Sequence, residues 1–317
     1  MPIQSPIFYM GNKYDLLPQL RQYIPEDIDT FYDLFGGSGV MSLNVNSNST
    51  VYNEMNENIV GLLKVFKDCN YEEIVNHIQN RINEFNLPDM SCDVRVKHFT
   101  EKYKEEHNEN YLKFRKWYNE SYCGDNQEWS TQKYLDLYTL TYFSFCNLIR
   151  FNSKGEFNMP FGNRCWLPEH KNKIGYACET LHKKNITILC GNALEKLKDI
   201  EQFKPRDFIY LDPPYTNTMA IYNEKRAFGG WDIENDMEMF ELLDKLTLKG
   251  IRWGVSNVYV NKGLENTHLR EWAEKNNYKV FHLNKEYASL GKGASDTDEV
   301  YICNYQPPFE QITLDLF

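Results

Sequence analysis

The chain has 317 residues, 42% of them hydrophobic and 25% charged, with 45 acidic against 35 basic side chains and a formal net charge of −10. That length exceeds one ordinary domain, and that composition excludes disordered, collagen-like and fibrous classes. No run approaches the ~18 apolar residues of a membrane span, and the first ten residues lack a basic segment followed by an apolar one, so a cytoplasmic protein without membrane contact is expected.

Apolar runs of strand length come in chain order. Phe31–Leu34 leads into Gly36-Gly37-Ser38-Gly39 and then Val40-Met41-Ser42-Leu43, the pattern of strand, glycine turn and helix. Val51–Asn53 ends in Glu54, before a helix over about 57–68. The third strand, Ile186–Cys190, follows only after a long gap, and Phe208–Leu211, Ile251–Ser256, Lys279–Leu283 and Glu299–Cys303 come after it. Seven strands with helical segments between most of them predict an α/β, doubly wound open sheet interrupted by an insertion over 67–184. The insertion reads as mainly helical, with helices predicted over Tyr71–Phe85, Val96–Tyr118 and Lys133–Phe145, then a loop or hairpin over Asn147–Asn163. Residues 306–317, which contain Pro307-Pro308, read as a C-terminal tail.

Eight cysteines without any C-x-x-C spacing point to reduced, structural thiols, with neither a zinc site nor a disulfide framework. Basic charge concentrates in the middle of this acidic chain. Arg150 to Lys184 holds seven basic residues against three acidic ones, as expected if one region meets a polyanion; a solvated face gives similar counts.

Two strand ends carry chemistry. The glycine turn after the first strand presents backbone N–H groups to a nucleotide-like ligand, although its spacing is not G-x-G-x-x-G and it lacks the Lys-Ser/Thr of a phosphate loop. Glu54, at the end of the second strand, can accept hydrogen bonds from ribose hydroxyls or serve as an ordinary first-turn acid. Asp212-Pro213-Pro214-Tyr215 is more informative. Two prolines cannot continue a central strand, so the backbone turns there and clusters a carboxylate, a free carbonyl and an aromatic ring. That set suits a planar amine such as the exocyclic nitrogen of adenine, whose delocalised lone pair needs acceptors that favour a pyramidal geometry.

Tyr9-x-Gly11-Asn12-Lys13, Asp33-Leu34-Phe35-Gly36-Gly37-Ser38-Gly39, Asn53-Glu54-x-Asn56, Asp212-Pro213-Pro214-Tyr215 and Ser256-Asn257 occur in this order over nearly the whole chain. In this the chain resembles the Dam-type (D12 class, alpha group) DNA adenine-N6 methyltransferases, and Thr297–Ile302 looks most like the T-even phage members. The resemblance implies a methyltransferase sheet formed by 1–66 and 185–305, with 67–184 as a target-recognition domain. It implies S-adenosylmethionine held by Tyr9, Gly11, Lys13, Asp33, Phe35, Gly37, Ser38, Gly39, Glu54, Asn192 and Asp212. It also implies double-stranded DNA as partner, with a flipped adenine held by Asp212, Pro213, Pro214 and Tyr215 and no metal. Cys146, Asn147, Leu148, Arg150, Asn152, Met159, Pro160 and Arg164 would meet the DNA through a recognition hairpin, in GATC or a related short site. Three positions depart from the pattern: Asn192 replaces a common acid, Cys146 a more polar residue, and Phe8 a lysine of the bacterial enzymes. A non-catalytic or RNA-directed member of the same fold is the competing expectation.

The tail adds one more resemblance. Gln311, Leu314, Leu316 and Phe317 are similar to peptides that dock on the bacterial sliding clamp. The same apolar residues could instead fold back on the sheet.

Overall fold

In the computed structural model, which describes residues 2–90, 101–123, 129–216, 230–283 and 297–308, the strands form one sheet. They are β1 (Thr30–Asp33), β2 (Ser49–Glu54), β3 (Ile186–Cys190), β4 (Phe208–Leu211), β5 (Arg252–Asn261), β6 (Leu264–Glu265), β7 (Lys279–Leu283) and β8 (Thr297–Cys303). Their spatial order is β3-β2-β1-β4-β5-β8-β7. β1 is parallel to both β2 and β4, and β4 to β5, while β8 runs antiparallel between β5 and β7. The chain therefore reverses its winding between β1 and β4, the position where open α/β sheets bind ligands at their carboxyl ends.

The alternation of side chains explains why these runs are strands. Phe31, Phe208 and Tyr210 enter one apolar cluster with Leu17, Leu20 and Tyr301, whereas Ile209, Leu211, Trp253 and Val255 enter another with Phe240 and Leu243. All four residues of β4 are buried, as a central strand covered on both faces requires. Among the described residues the expected seven strands become eight because β6 pairs with the end of β5, which runs to Asn261 past a bulge at Val258/Val260. A two-residue strand bearing Leu and Glu has no apolar run by which sequence reading could find it.

Contacts divide the chain into two compact units, one of residues 1–2, 12–56 and 184–317 containing the sheet, the other of residues 3–11 and 57–183. The second unit is helical: α3 (Glu57–Asp68), α4 (Tyr71–Phe85), α5 (Lys104–Tyr122), α6 (Thr131–Phe143) and α7 (Pro168–Lys183) follow α1 (Leu17–Tyr23) and α2 (Val40–Asn44) of the first. Helix α4 starts where Asn70 and Glu73 cap one another reciprocally, at 2.9 and 3.0 Å. Helix α3 groups with this unit rather than with the sheet, to which the span 1–66 assigned it. Its buried face packs on α6: Phe66 meets Tyr138 edge-on at 5.1 Å, and the ring of Tyr134 lies so close over Gly61 that a Cβ there would collide with it. Part of the predicted helix 96–118 lies outside the described residues, as do Gln311, Leu314, Leu316 and Phe317.

Candidate active site

The carboxyl ends of β1 and β2 hold the glycine turn. Gly36 N–H donates to the Asn53 carbonyl at 2.8 Å, and a Cβ on Gly36 would run into the Tyr52 ring, so only glycine fits. Gly37 and Gly39 adopt left-handed backbone, φ 48° and 76°, and Gly39 opens α2. Ser38 is buried between them. The Glu54 carboxylate accepts the N–H groups of Gly37 and Asn56, each at 2.9 Å, and burial holds its pKa up. Asp33 is 1% exposed and accepts both the hydroxyl (2.7 Å) and the N–H (3.1 Å) of Ser42. Burial nevertheless pushes its carboxyl up to about 7, against those two bonds.

The end of β4 holds the amine-binding candidates. Asp212 Oδ2 accepts Lys13 Nζ at 2.5 Å, and Oδ1 accepts the Tyr215 hydroxyl at 3.0 Å. The Lys13 ammonium also lies 5.3 Å from the Tyr215 ring centroid. The side chain of Asp212 is 19% exposed and that of Lys13 only 6%. Burial raises the Asp212 pKa, and the Lys13 charge opposes that rise. Pro213 is buried and Pro214 half-buried. The β1–β4 pairing, Asp33 opposite Tyr210, brings the two motifs to adjacent strand ends.

The remaining expected cofactor residues divide. Phe35 is half-buried with its ring edge-on to Trp231 at 5.2 Å. Asn192 is exposed, and its side chain caps the helix Ala193–Lys198 (α8) by accepting the Leu194 N–H at 2.8 Å. Tyr9 and Gly11 fall in the segment that groups with the helical unit. Asn53 donates to the carbonyls of Leu34 and Gly191, both at 3.0 Å, while its Oδ1 is buried with no partner among the described residues. A partnerless acceptor beside the glycine turn, together with Glu54 and the open turn itself, fits a ligand rich in hydroxyl and amino groups.

In the helical unit, residues 144–161 do form a hairpin, with antiparallel bridges Ser144–Phe161 and Phe151–Phe157. Its residues have unequal roles. Cys146 and Arg150 are exposed, and Leu148, Asn152 and Arg164 half-buried. Asn152 shapes the tip, its Oδ1 accepting the N–H groups of Lys154 and Glu156 at 2.9 and 3.0 Å. Arg150 Nε donates to Asn158 Oδ1 at 2.8 Å, which fixes the guanidinium plane at the surface. Asn147 and Met159, by contrast, are not surface groups, at 2% and 3% exposure. The Asn147 amide ties down the carbonyls of Tyr142 and Thr141 at 2.6 and 3.3 Å, and the Met159 carbonyl accepts Tyr111 and Arg115 at 2.9 and 2.8 Å. Exposed Pro160 offers its carbonyl to the Phe145 N–H at 2.8 Å. Lys184, counted with the basic excess, bonds the Val45 carbonyl at 2.5 Å instead of facing outward.

Sequence reading missed Trp231, Asp236 and His268, which meet through hydrogen bonds to Asp236. No group of acidic, histidine and cysteine side chains among the described residues could hold a metal ion, and no described helix is long and apolar enough to cross a membrane.

The strand order, the glycine turn after β1 and the carboxylate turn after β4 define the class, an α/β methyltransferase fold. The family model for D12 class N6 adenine-specific DNA methyltransferases matches residues 9–288, and the chain belongs to that family. It is 34% identical over 308 residues to the type II methyltransferase M.FokI of Planomicrobium okeanokoites and 33% over 309 residues to the modification methylase StsI of Streptococcus sanguinis. In each case 96% of this chain matches 43% of the relative, so the chain spans less than half the length of these two proteins. It is 23% identical over 303 residues to the DNA adenine methylase of Escherichia coli (strain K12), covering 94% of both chains.

Proposed function

We propose that this chain transfers a methyl group from S-adenosylmethionine to N6 of an adenine flipped out of duplex DNA, in GATC or a related short site. The observation that carries the reading is the Asp212 carboxylate, half-buried at the end of β4 between Lys13 and the Tyr215 hydroxyl and followed by two prolines. Each carboxylate oxygen has two lone pairs, so after the bonds to Lys13 and Tyr215 either oxygen can still accept an N6–H. The Pro213 carbonyl, at the end of the strand, would accept the second N6–H. Held by two acceptors, the amine is pulled toward the pyramidal geometry in which its lone pair points at a carbon. The Tyr215 hydroxyl bond to Asp212 fixes its ring beside that amine, as a stacking surface for the extruded base.

The cofactor supplies an electrophilic methyl group on a sulfonium and leaves as a neutral thioether. On the protein side, Asp33, Glu54 and the turn 36–39 would hold it. Transfer puts positive charge on N6, which the Asp212 carboxylate stabilises until one N6 proton leaves to solvent. The sheet unit thus carries catalysis, and the helical unit, through Arg150 and its hairpin, reads the DNA. Sliding-clamp docking through Gln311, Leu314, Leu316 and Phe317 belongs to the reading on the tail's resemblance alone, and cytoplasmic location on the nature of the substrate.

Incubation with labelled S-adenosylmethionine and unmethylated duplex tests the proposal. Label should appear in N6-methyladenine after nuclease digestion, and single-base substitution of GATC should abolish it. The higher identity to type II methylases than to Dam makes a panel of non-GATC duplexes the informative control: label on these would overturn GATC alone. Label on RNA only, or on no nucleic acid, would overturn the reading.

A further inference from the structure

Asp236 lies in the helix Ile233–Leu248 (α9), 1% exposed, and its burial is not explained by helix capping. That end is already closed by a reciprocal cap, Asp232 and Asn235 bonding each other's N–H at 3.1 Å. A buried carboxylate is costly unless donors surround it, and three do. Trp231 Nε1 donates to Oδ1 at 2.8 Å, while the Thr216 hydroxyl and His268 Nε2 approach Oδ2, each at 3.0 Å.

Two of these donors sit at the candidate active site. Thr216 is the residue after Tyr215, so its hydroxyl bond fixes the exit of the Asp-Pro-Pro-Tyr turn. Trp231 packs edge-on against Phe35, at 5.2 Å and 84°, and Phe35 belongs to the glycine-turn motif after β1. One carboxylate therefore links the turn after β4 with the aromatic wall beside the turn after β1.

We infer that Asp236 is a positioning residue for methyl transfer: through Thr216 it sets the Asp212–Tyr215 turn, and through Trp231 the Phe35 wall, so that acceptor and donor sides keep their relative placement. This rests on the methyltransferase reading above. Neither oxygen of Asp236 is redundant. An asparagine in its place offers a single acceptor oxygen: kept on Trp231, it makes the Thr216 hydroxyl and the His268 ring reverse roles and accept an amide N–H, and flipped, it sets that N–H against the indole N–H of Trp231, which only donates. Misplacement of about 1 Å away from the chemistry costs up to ~10²-fold in rate.

The test is single-turnover methyl transfer to unmethylated duplex at saturating cofactor, with KM for both substrates and melting temperature followed alongside. Asp236→Asn should lower the rate by about 10- to 100-fold while both KM values move less than about threefold. Thr216→Val should lower it in the same sense, and Thr216→Ser, which keeps the hydroxyl, should restore it. The double variant Asp236→Asn/Thr216→Val should be little worse than Asp236→Asn alone, because both substitutions act on the same bond. Should Asp236→Asn fail to fold, the Thr216 pair and Trp231→Phe, which keeps a ring against Phe35, carry the same comparison. Wild-type rate in Asp236→Asn, multiplicative losses in the double variant, or losses that Thr216→Ser does not restore would overturn the inference. A wild-type protein that methylates no adenine would instead overturn the functional reading, and this inference with it.

Discussion

Replacing Lys13 by Met tests the electrostatics of the candidate site most directly. The ammonium and the Asp212 carboxylate lie 2.5 Å apart with side chains 6% and 19% exposed, so neither is well served by water. Removing one partner of a buried ion pair costs about 3–5 kcal/mol. Part of that cost can be avoided by protonation, since burial already raises the Asp212 pKa and the Lys13 charge is the largest influence holding it down. A protonated Asp212 no longer accepts an N6–H on that oxygen and no longer stabilises positive charge. If the cost appears as lost ionisation, 3–5 kcal/mol corresponds to about 10²–10⁴ in methyl-transfer rate near neutral pH. Single-turnover rates at saturating cofactor, followed from pH 6 to 9, separate this from a binding defect. The variant should regain rate as pH rises and Asp212 ionises, while wild type flattens at lower pH. A wild-type rate, or a loss of equal size at every pH, would refute the reasoning.

Asp33→Asn should remove a pH dependence of stability. With its carboxyl pushed from 3.8 to about 7 by burial, Asp33 favours the folded state fully below about pH 4, and that contribution is lost as pH rises to about 7, up to ~4 kcal/mol in all. Melting curves of the variant should therefore vary less across pH 4–7, and its affinity for the cofactor, read by calorimetry, should fall; an unchanged pH profile would contradict the burial argument. Arg150→Ala should relax discrimination at one guanine by about 1–3 kcal/mol, read by comparing single-base-substituted duplexes, with methylation of the best site retained. An unchanged discrimination profile would make Arg150 a surface group only. Leu316→Ala with Phe317→Ala should abolish clamp pull-down without changing melting temperature; a lower melting temperature, with no clamp binding by wild type, would mean that the tail folds back.

Sequence made legible what is local. Four consecutive apolar residues followed by Asp-Pro-Pro mark β4 and its turn, and Phe31–Leu34 with three glycines marks β1 and the turn after it. Helix α7, absent from the expected elements, is legible by the same rule: Ile174, Ala177, Cys178 and Leu181 repeat at helical spacing and are the residues it buries. What lay beyond reach is long-range. Lys13 and Asp212 are 199 positions apart, and no pattern announces that an ammonium expected beside the cofactor bonds the carboxylate. Asn147 looks like a surface loop residue, yet left-handed backbone at Cys146 and Asn147, φ 55° and 52°, turns its amide inward onto the end of α6.

Burying a carboxylate is common in this chain, and exposure separates the reactive candidate from the rest. Asp33, Asp207 and Asp236 are each 1% exposed, and Asp136 of the helical unit is fully buried. Each is bonded to the scaffold: Asp207 by the N–H groups of Thr30 and Lys204, Asp136 by His77, Arg81 and Tyr122. Asp136, Asp207 and Asp236 thereby fix one element against another, and Asp33 ties the end of β1 to α2 beside the glycine turn. Asp212 differs in exposure. Its side chain keeps 19% of its surface, and one of its donors, Tyr215, comes from its own turn. A carboxylate that acts on a substrate must be dry enough for its charge to count and open enough to be reached. Among these five, only Asp212 satisfies both.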